Sequence, residues 1–259
     1  MKYAKMRPLT ARLQALGNGN FFVGLGALLL CGCLEPDVQA PDVMLTQDMK
    51  VPEDLAMLPP DLTPALCELP YDQRAINSVT TGKVTVGALP ADPSVFAGQI
   101  DAMAGGSMMY DKNPFVYLNL LTQQRVDITD VQARTSKDWD IAFKRWQIKL
   151  NSGDSGPGGV TVATVANQEL AQVTMAPAGP YVADSYFNAK CELKTDPIGG
   201  LGTALSDWYE YDQNSKLTPR KQVLVLPRRD GKGHIKLQIL GYYSGMFGGN
   251  YSLQWSFLP

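Results

Sequence analysis

The last residues of the chain, YSLQWSFLP, alternate. Tyr251, Leu253, Trp255 and Phe257 are large and apolar, and Ser252, Gln254 and Ser256 between them are polar. A period of two puts these sets on opposite faces of an extended strand, whereas a helix would scatter them around its surface. The same alternation runs through HIKLQILGYY. Ile235, Leu237, Ile239 and Tyr243 face one way, and His234, Lys236 and Gln238 the other. GMFGGN between these segments supplies a glycine turn. KQVLVLPRR is a short apolar run closed by Pro227, and Asp230-Gly231 in RDGKG reads as a hairpin turn. Residues 222–226, 235–243 and 251–258 therefore predict a three-stranded antiparallel meander.

Further strands are expected at 83–86, 115–121, 125–128 and 159–165 and around the WYEYD motif. Helical spacing is weak and confined to 93–104 and 167–173. No repeat of 20–50 residues is present. The expected fold class is mainly β, a single antiparallel domain with few short helices.

The stretch SKDWDIAFKRWQIKLNSGDSGPGG, residues 136–159, changes phase. Trp139, Ile141 and Phe143 occupy odd positions, and Trp146, Ile148 and Leu150 even ones. A slip of one residue inverts every later side chain, so an unbroken strand would need a β-bulge, expected at Lys144-Arg145.

The opening of the chain reads as a targeting signal. Lys2, Lys5, Arg7 and Arg12 precede the apolar run FFVGLGALLLCG at residues 21–32. That run is too short to span a bilayer, which takes about 20 residues, and has the length of a signal-peptide core. It ends in Leu30-Cys31-Gly32-Cys33, which resembles a bacterial lipobox. The resemblance implies cleavage after residue 32 and acyl chains, of the palmitate kind, on Cys33. Several chains at one point satisfy the rule that stable anchoring needs more than one. An ordinary signal peptide is the alternative reading. Residues 33–66 are expected to form a disordered tether. After Cys33 this segment carries six prolines and seven acidic residues against one Lys, and such a composition cannot offset the entropy of ordering. Residues 67–259 form the domain.

The formal net charge is −2, and removing residues 1–32 makes it −6, so a nucleic-acid partner is not expected. Cys67 and Cys191 are the two cysteines left unmodified. In an exported protein such a pair is expected to be a disulfide.

Enzyme chemistry finds little support. Gly153-Asp154-Ser155-Gly156 spells the nucleophile loop of trypsin-like proteases, but that chemistry needs a histidine base. The single histidine, His234, lies C-terminal to the serine. One histidine and two bridged cysteines do not make a zinc site either. The chain is expected not to be an enzyme.

Two segments together resemble the HmuY family of lipid-anchored, haem-binding proteins of Gram-negative bacteria. They are DWDIAFKRWQIKLNSG and the later run DWYEYDQNSKLTPRKQVLVLPRRDGKGHIKLQILGYYSG with its final aromatic strand. The resemblance covers about residues 137–258 and implies a predominantly β fold. It further implies haem, or a related tetrapyrrole, as cofactor, held by axial ligands. One ligand would follow the AF of WDIAF, where this chain has Lys144. The other lies about 30 residues on, near Met175 in QVTMAPAGPY. Methionine is an established haem ligand through its thioether sulfur. Met108 and Met109 in AMAGGSMMYDK, and His234, are further candidates. Implied partners are haem, haemoproteins or an outer-membrane haem receptor, besides the membrane itself. The implied location is the bacterial outer membrane, on its periplasmic or surface side. Two functions stay open: haem capture and transfer, or a surface interaction module that keeps the fold and has lost the haem site.

Overall fold

The computed structural model describes residues 67–70, 74–103 and 112–258. The expected signal peptide, the tether, Cys33, Met108 and Met109 lie outside them. In chain order the strands are β1 (Val84–Leu89), β2 (Asp92–Asp101), β3 (Val116–Asn119), β4 (Gln124–Val126), β5 (Ile141–Lys144), β6 (Gln147–Leu150), β7 (Ala163–Ala166), β8 (Tyr209–Tyr211), β9 (Leu217–Pro219), β10 (Gln222–Pro227), β11 (His234–Ser244) and β12 (Phe247–Leu258). Among the described residues helix is confined to α1 (Asp130–Ala133) and two 3-10 turns at Gly153–Ser155 and Leu170–Gln172.

Six strands form one antiparallel sheet in the order β1-β2-β12-β11-β10-β7, and four form a second in the order β4-β3-β5-β6. One apolar core includes residues of both sheets: Leu118, Ile141, Phe143 and Ile148 from the smaller, Leu237, Leu253 and Trp255 from the larger. Complete burial of side chains of this size contributes about 1.5–3 kcal/mol each. The fold is mainly antiparallel β, as the alternation predicts, and β10, β11 and β12 are the expected meander.

The outer face of β11 is not left to solvent. Gln238 accepts from the Leu170 backbone N–H and donates to Glu169, and the Lys236 ammonium donates to the Val173 carbonyl. The weak helical spacing at 167–173 corresponds to this short cover.

Two sequence expectations are corrected. The weak helical spacing at 93–104 falls largely on a strand, β2, which pairs with both β1 and β12. Gly98 is needed there, because a Cβ would come within 2.9 Å of the Trp255 ring. The phase change at Lys144-Arg145 is a tight hairpin and not a bulge. Lys144 pairs with Gln147, and Arg145-Trp146 make the turn, with Arg145 at φ 49°. Positive φ at the first turn position matches the twist of the flanking strands. The turn is pinned from several directions. Arg145 N–H donates to the Ala102 carbonyl, the Tyr251 hydroxyl donates to the Arg145 carbonyl, and the Trp208 indole donates to the Trp146 carbonyl.

Candidate functional site

Strand pairing decides what each face of the β5–β6 hairpin carries. Ala142 lies opposite Lys149 and Lys144 opposite Gln147, so these four share a face, which Tyr117 of β3 joins through its pairing with Ala142. The other face holds Ile141, Phe143, Ile148 and Leu150 in the core. The polar face is covered all the same. Lys144, Gln147 and Lys149 are all buried, at 8%, 9% and 6% exposure.

The cover has two parts. α1 is capped by Thr129 in a capping box with Gln132, and this places Asp130 at the start of the helix. The Asp130 carboxylate accepts from the Phe115 N–H, the Tyr117 hydroxyl and the Ile76 N–H, and so ties three separate segments together. The second part is the glycine-rich loop. Asn151 donates its side-chain amide to the Ser136 and Trp139 carbonyls and accepts from Gly158 N–H. A Cβ on Gly156 or Gly158 would collide with Asn151.

Ser155 of the GDSG motif is a buried structural hydroxyl. It donates to the Asp184 carboxylate at 2.6 Å and shares a second hydrogen bond with the Tyr186 hydroxyl. Asp184 also accepts from the Leu150 and Ala204 N–H groups. No histidine approaches this pair. His234 begins β11 in the other sheet, beside Tyr181, with its Nδ1 buried and unbonded.

The electrostatics of the covered face follow from its burial. Lys149 donates to the Tyr117 hydroxyl at 2.9 Å, and its ammonium lies 4.2 Å from the centre of the Phe115 ring, 5.0 Å from Tyr117 and 5.5 Å from Trp139. Burial brings its pKa down to about 8, although Asp130 and Asp184 favour the charged form. Burial pushes Asp184 up to about 6, against hydrogen bonds that favour its ionised form. The Tyr117 and Tyr186 hydroxyls are pushed well above the ordinary tyrosine range, again chiefly by burial. A cavity of about 40 Å³ lies among Lys144, Lys149, Asp130, Ser155 and Tyr186. Leu69, Arg74, Ala75, Arg134, Asp154 and Tyr186 are common to its wall and to that of a larger groove of about 1130 Å³.

Those expected site residues that fall among the described ones are not gathered in one place. Lys144 lines the small cavity. Met175 is 80% exposed, follows the Leu170–Gln172 turn on the outer side of the larger sheet, and lines neither cavity nor groove. Cys67 and Cys191 are disulfide-bonded, with Cα atoms 5.3 Å apart, and Cys67 forms part of the groove wall. Among the described residues no group of three or more His, Cys, Asp or Glu is placed to hold a metal ion. Sequence reasoning missed Lys149, Tyr117, Asp130 and Asp184. The one available signal was a lysine at the centre of the apolar run Ile148-Lys149-Leu150.

Comparison with known proteins bears on the identity of this domain. No curated protein matches the chain. Among solved structures, it is similar to a protein from Bacteroides fragilis provisionally described as a lipoprotein (19% identity, 65% of this chain and 92% of that one, TM-score 0.46). A second is from Bacteroides vulgatus, provisionally described as an HmuY-like heme binding protein (21%, 66% and 97%, TM-score 0.45). A third is the apo HmuY analog of Tannerella forsythia (19%, 70% and 98%, TM-score 0.46). The HmuY protein family itself matches residues 111–255, a span that takes in α1, the β5–β6 hairpin, the glycine-rich loop and the meander. That is more than half of the 259 residues, and the chain belongs to the HmuY family.

Proposed function

We propose that this protein captures haem or a related tetrapyrrole outside the cytoplasm and hands it on, without catalysis, while anchored to the outer membrane by acyl chains on Cys33. The observation that carries this reading is membership of the HmuY family over residues 111–255. A protein of similar fold is provisionally described as heme binding, and another as a lipoprotein, in keeping with the reading.

Met175 is the axial ligand we favour. Its 80% exposure leaves the thioether open to an arriving iron. Met108 and Met109 are alternative sulfur donors. Lys144 holds the position after AF and could ligate only as the neutral amine. The receiving partner would be an outer-membrane haem receptor, and the source free haem or a haemoprotein.

One observation favours a second reading, a surface interaction module without a haem site. Lys144 ends β5 and lines the small cavity, whereas the exposed Met175 lines neither that cavity nor the groove, so the described residues do not bring the two expected ligands together. Titration with haemin separates the readings. A Soret shift with a saturable 1:1 endpoint is expected, and Met175→Ala should change the spectrum. Non-saturating binding would reject the haem reading, and an unchanged variant spectrum would reject the ligand. Cys33→Ser is expected to release the protein from the membrane fraction, and retention there would reject the anchor.

A further inference from the structure

Lys149 is 6% exposed and faces the 40 Å³ cavity. An ammonium has three donors, and one of them goes to the Tyr117 hydroxyl. Aromatic rings at 4.2, 5.0 and 5.5 Å surround it, and no carboxylate is paired with it directly. Among the described residues the other two donors of this buried cation have no acceptor, an arrangement that costs free energy unless something else accepts from them.

Among the described residues of the wall, Arg74, Arg134, Lys144 and Lys149 are basic, and Asp130 and Asp154 are acidic. Neither acid is hydrogen-bonded to the lysine, although Asp130, with Asp184 beyond the wall, favours its charged form through space. Asp130 accepts from Phe115, Tyr117 and Ile76, and Asp154 accepts from the Tyr186 N–H. The two hydroxyls at the cavity are committed as well. Ser155 gives its hydrogen to Asp184, which leaves the Tyr186 hydroxyl to donate to Ser155.

Size narrows the occupant. At about 40 Å³ the cavity is far too small for a tetrapyrrole and suits a small polar group such as one carboxylate. Six wall residues shared with the 1130 Å³ groove leave space beyond the cavity for a larger body attached to that group.

We propose that the cavity beneath the β5–β6 hairpin is a carboxylate-binding site, in which Lys149 receives the acid group of a small organic acid or of a larger ligand whose body lies in the adjoining groove. The site does not depend on the haem reading, since it needs no iron and no axial ligand.

The test is a titration of the intact protein, labelled with ¹³C-lysine, with sodium formate and acetate. The Lys149 resonance is identified by its absence in Lys149→Met. Should that variant not fold, Lys149→Arg supplies the same assignment. Formate and acetate are expected to shift it saturably at one site, and trimethylacetate, too wide for the cavity, is not. Metal-free protoporphyrin and its dimethyl ester then identify the source. If the diacid raises the apparent formate Kd at least tenfold and the ester does not, the site takes the acid arm of a larger ligand. If neither competes, the site takes a free small acid. A Lys149 resonance that formate and acetate leave in place, or that moves in proportion to every salt alike, overturns the proposal, whatever haemin does.

Discussion

Lys149 and Tyr117 form a buried donor–acceptor pair at 2.9 Å, and the same Tyr117 hydroxyl passes its own hydrogen to Asp130 at 2.7 Å. A cation held this way is costly. The Lys149 pKa falls from 10.5 unfolded to about 8 folded. At about 1.4 kcal/mol per pKa unit, the charged lysine costs the fold on the order of 3 kcal/mol at neutral pH. Between pH 8 and pH 10 the unfolded chain keeps a proton that the folded chain has released, so stability rises with pH over that window. Lys149→Met keeps the Tyr117–Asp130 bond. It is expected to be more stable than the parent at pH 7 by about 1–3 kcal/mol and to lose the rise above pH 8. Urea denaturation of both proteins across that range is the check.

Asp184 acts with the opposite sign. Its folded pKa of about 6 lies above the ordinary 3.8. Its contribution is fully present below about pH 4 and is lost as pH rises through 6. Asp184→Asn should remove that dependence. It should also cost about 2–4 kcal/mol, because an amide NH₂ must face one of the donors from Leu150, Ser155 or Ala204. Denaturation midpoints at pH 4, 5, 6 and 7 give both results.

Ser155→Ala removes one donor to Asp184 and the partner of the Tyr186 hydroxyl. A stability loss of about 1–3 kcal/mol is expected. Ester and peptide hydrolysis should be absent in parent and variant alike. Hydrolysis in the parent that disappears in the variant would reinstate Ser155 as a nucleophile.

Gly153→Ala should be the most damaging change in the same loop. Gly153 has φ +51°, and a Cβ there would stand 1.9 Å from the Asp184 carbonyl oxygen. Left-handed strain alone costs about 1–2 kcal/mol, and the collision with backbone adds to it. The variant is expected to be recovered mostly unfolded, as circular dichroism would report.

Cys191→Ser opens a loop of 124 residues. The chain-entropy relation gives a loss on the order of 5 kcal/mol for a loop of that size. The midpoint of urea unfolding should fall accordingly, and reduction of the parent should reproduce the fall.

The meander was legible because its core-facing residues alternate through sequence and structure alike. Ile235, Leu237, Leu253 and Trp255 are all buried. β2 was not legible, since DPSVFAGQID mixes small residues with Pro93, and its strand character comes from Trp255 packing on Gly98. The hairpin at Arg145-Trp146 was misread because neither residue is a turn former. Contacts from Ala102, Tyr251 and Trp208, remote in sequence, hold it. The cavity was hidden for a related reason. Period-two alternation assigns Lys149 to the outer face, as the structure does, but cannot say that loops from 130–134, 153–155 and 184–186 cover that face. Of the expected site residues among those described, Lys144 alone lines the cavity.

The disulfide also sets a path for mechanical load. Cys67 stands in the groove wall and is bonded to Cys191. A pull on the segment preceding Cys67 passes through the sulfur atoms into residue 191, in the middle of the domain. Leu69, Arg74 and Ala75, which wall the groove and the cavity, follow Cys67 and lie on the slack side of that path. Tension on the leading segment would reach residue 191 directly, and reduction of the single bond would pass it along the segment that follows Cys67 instead.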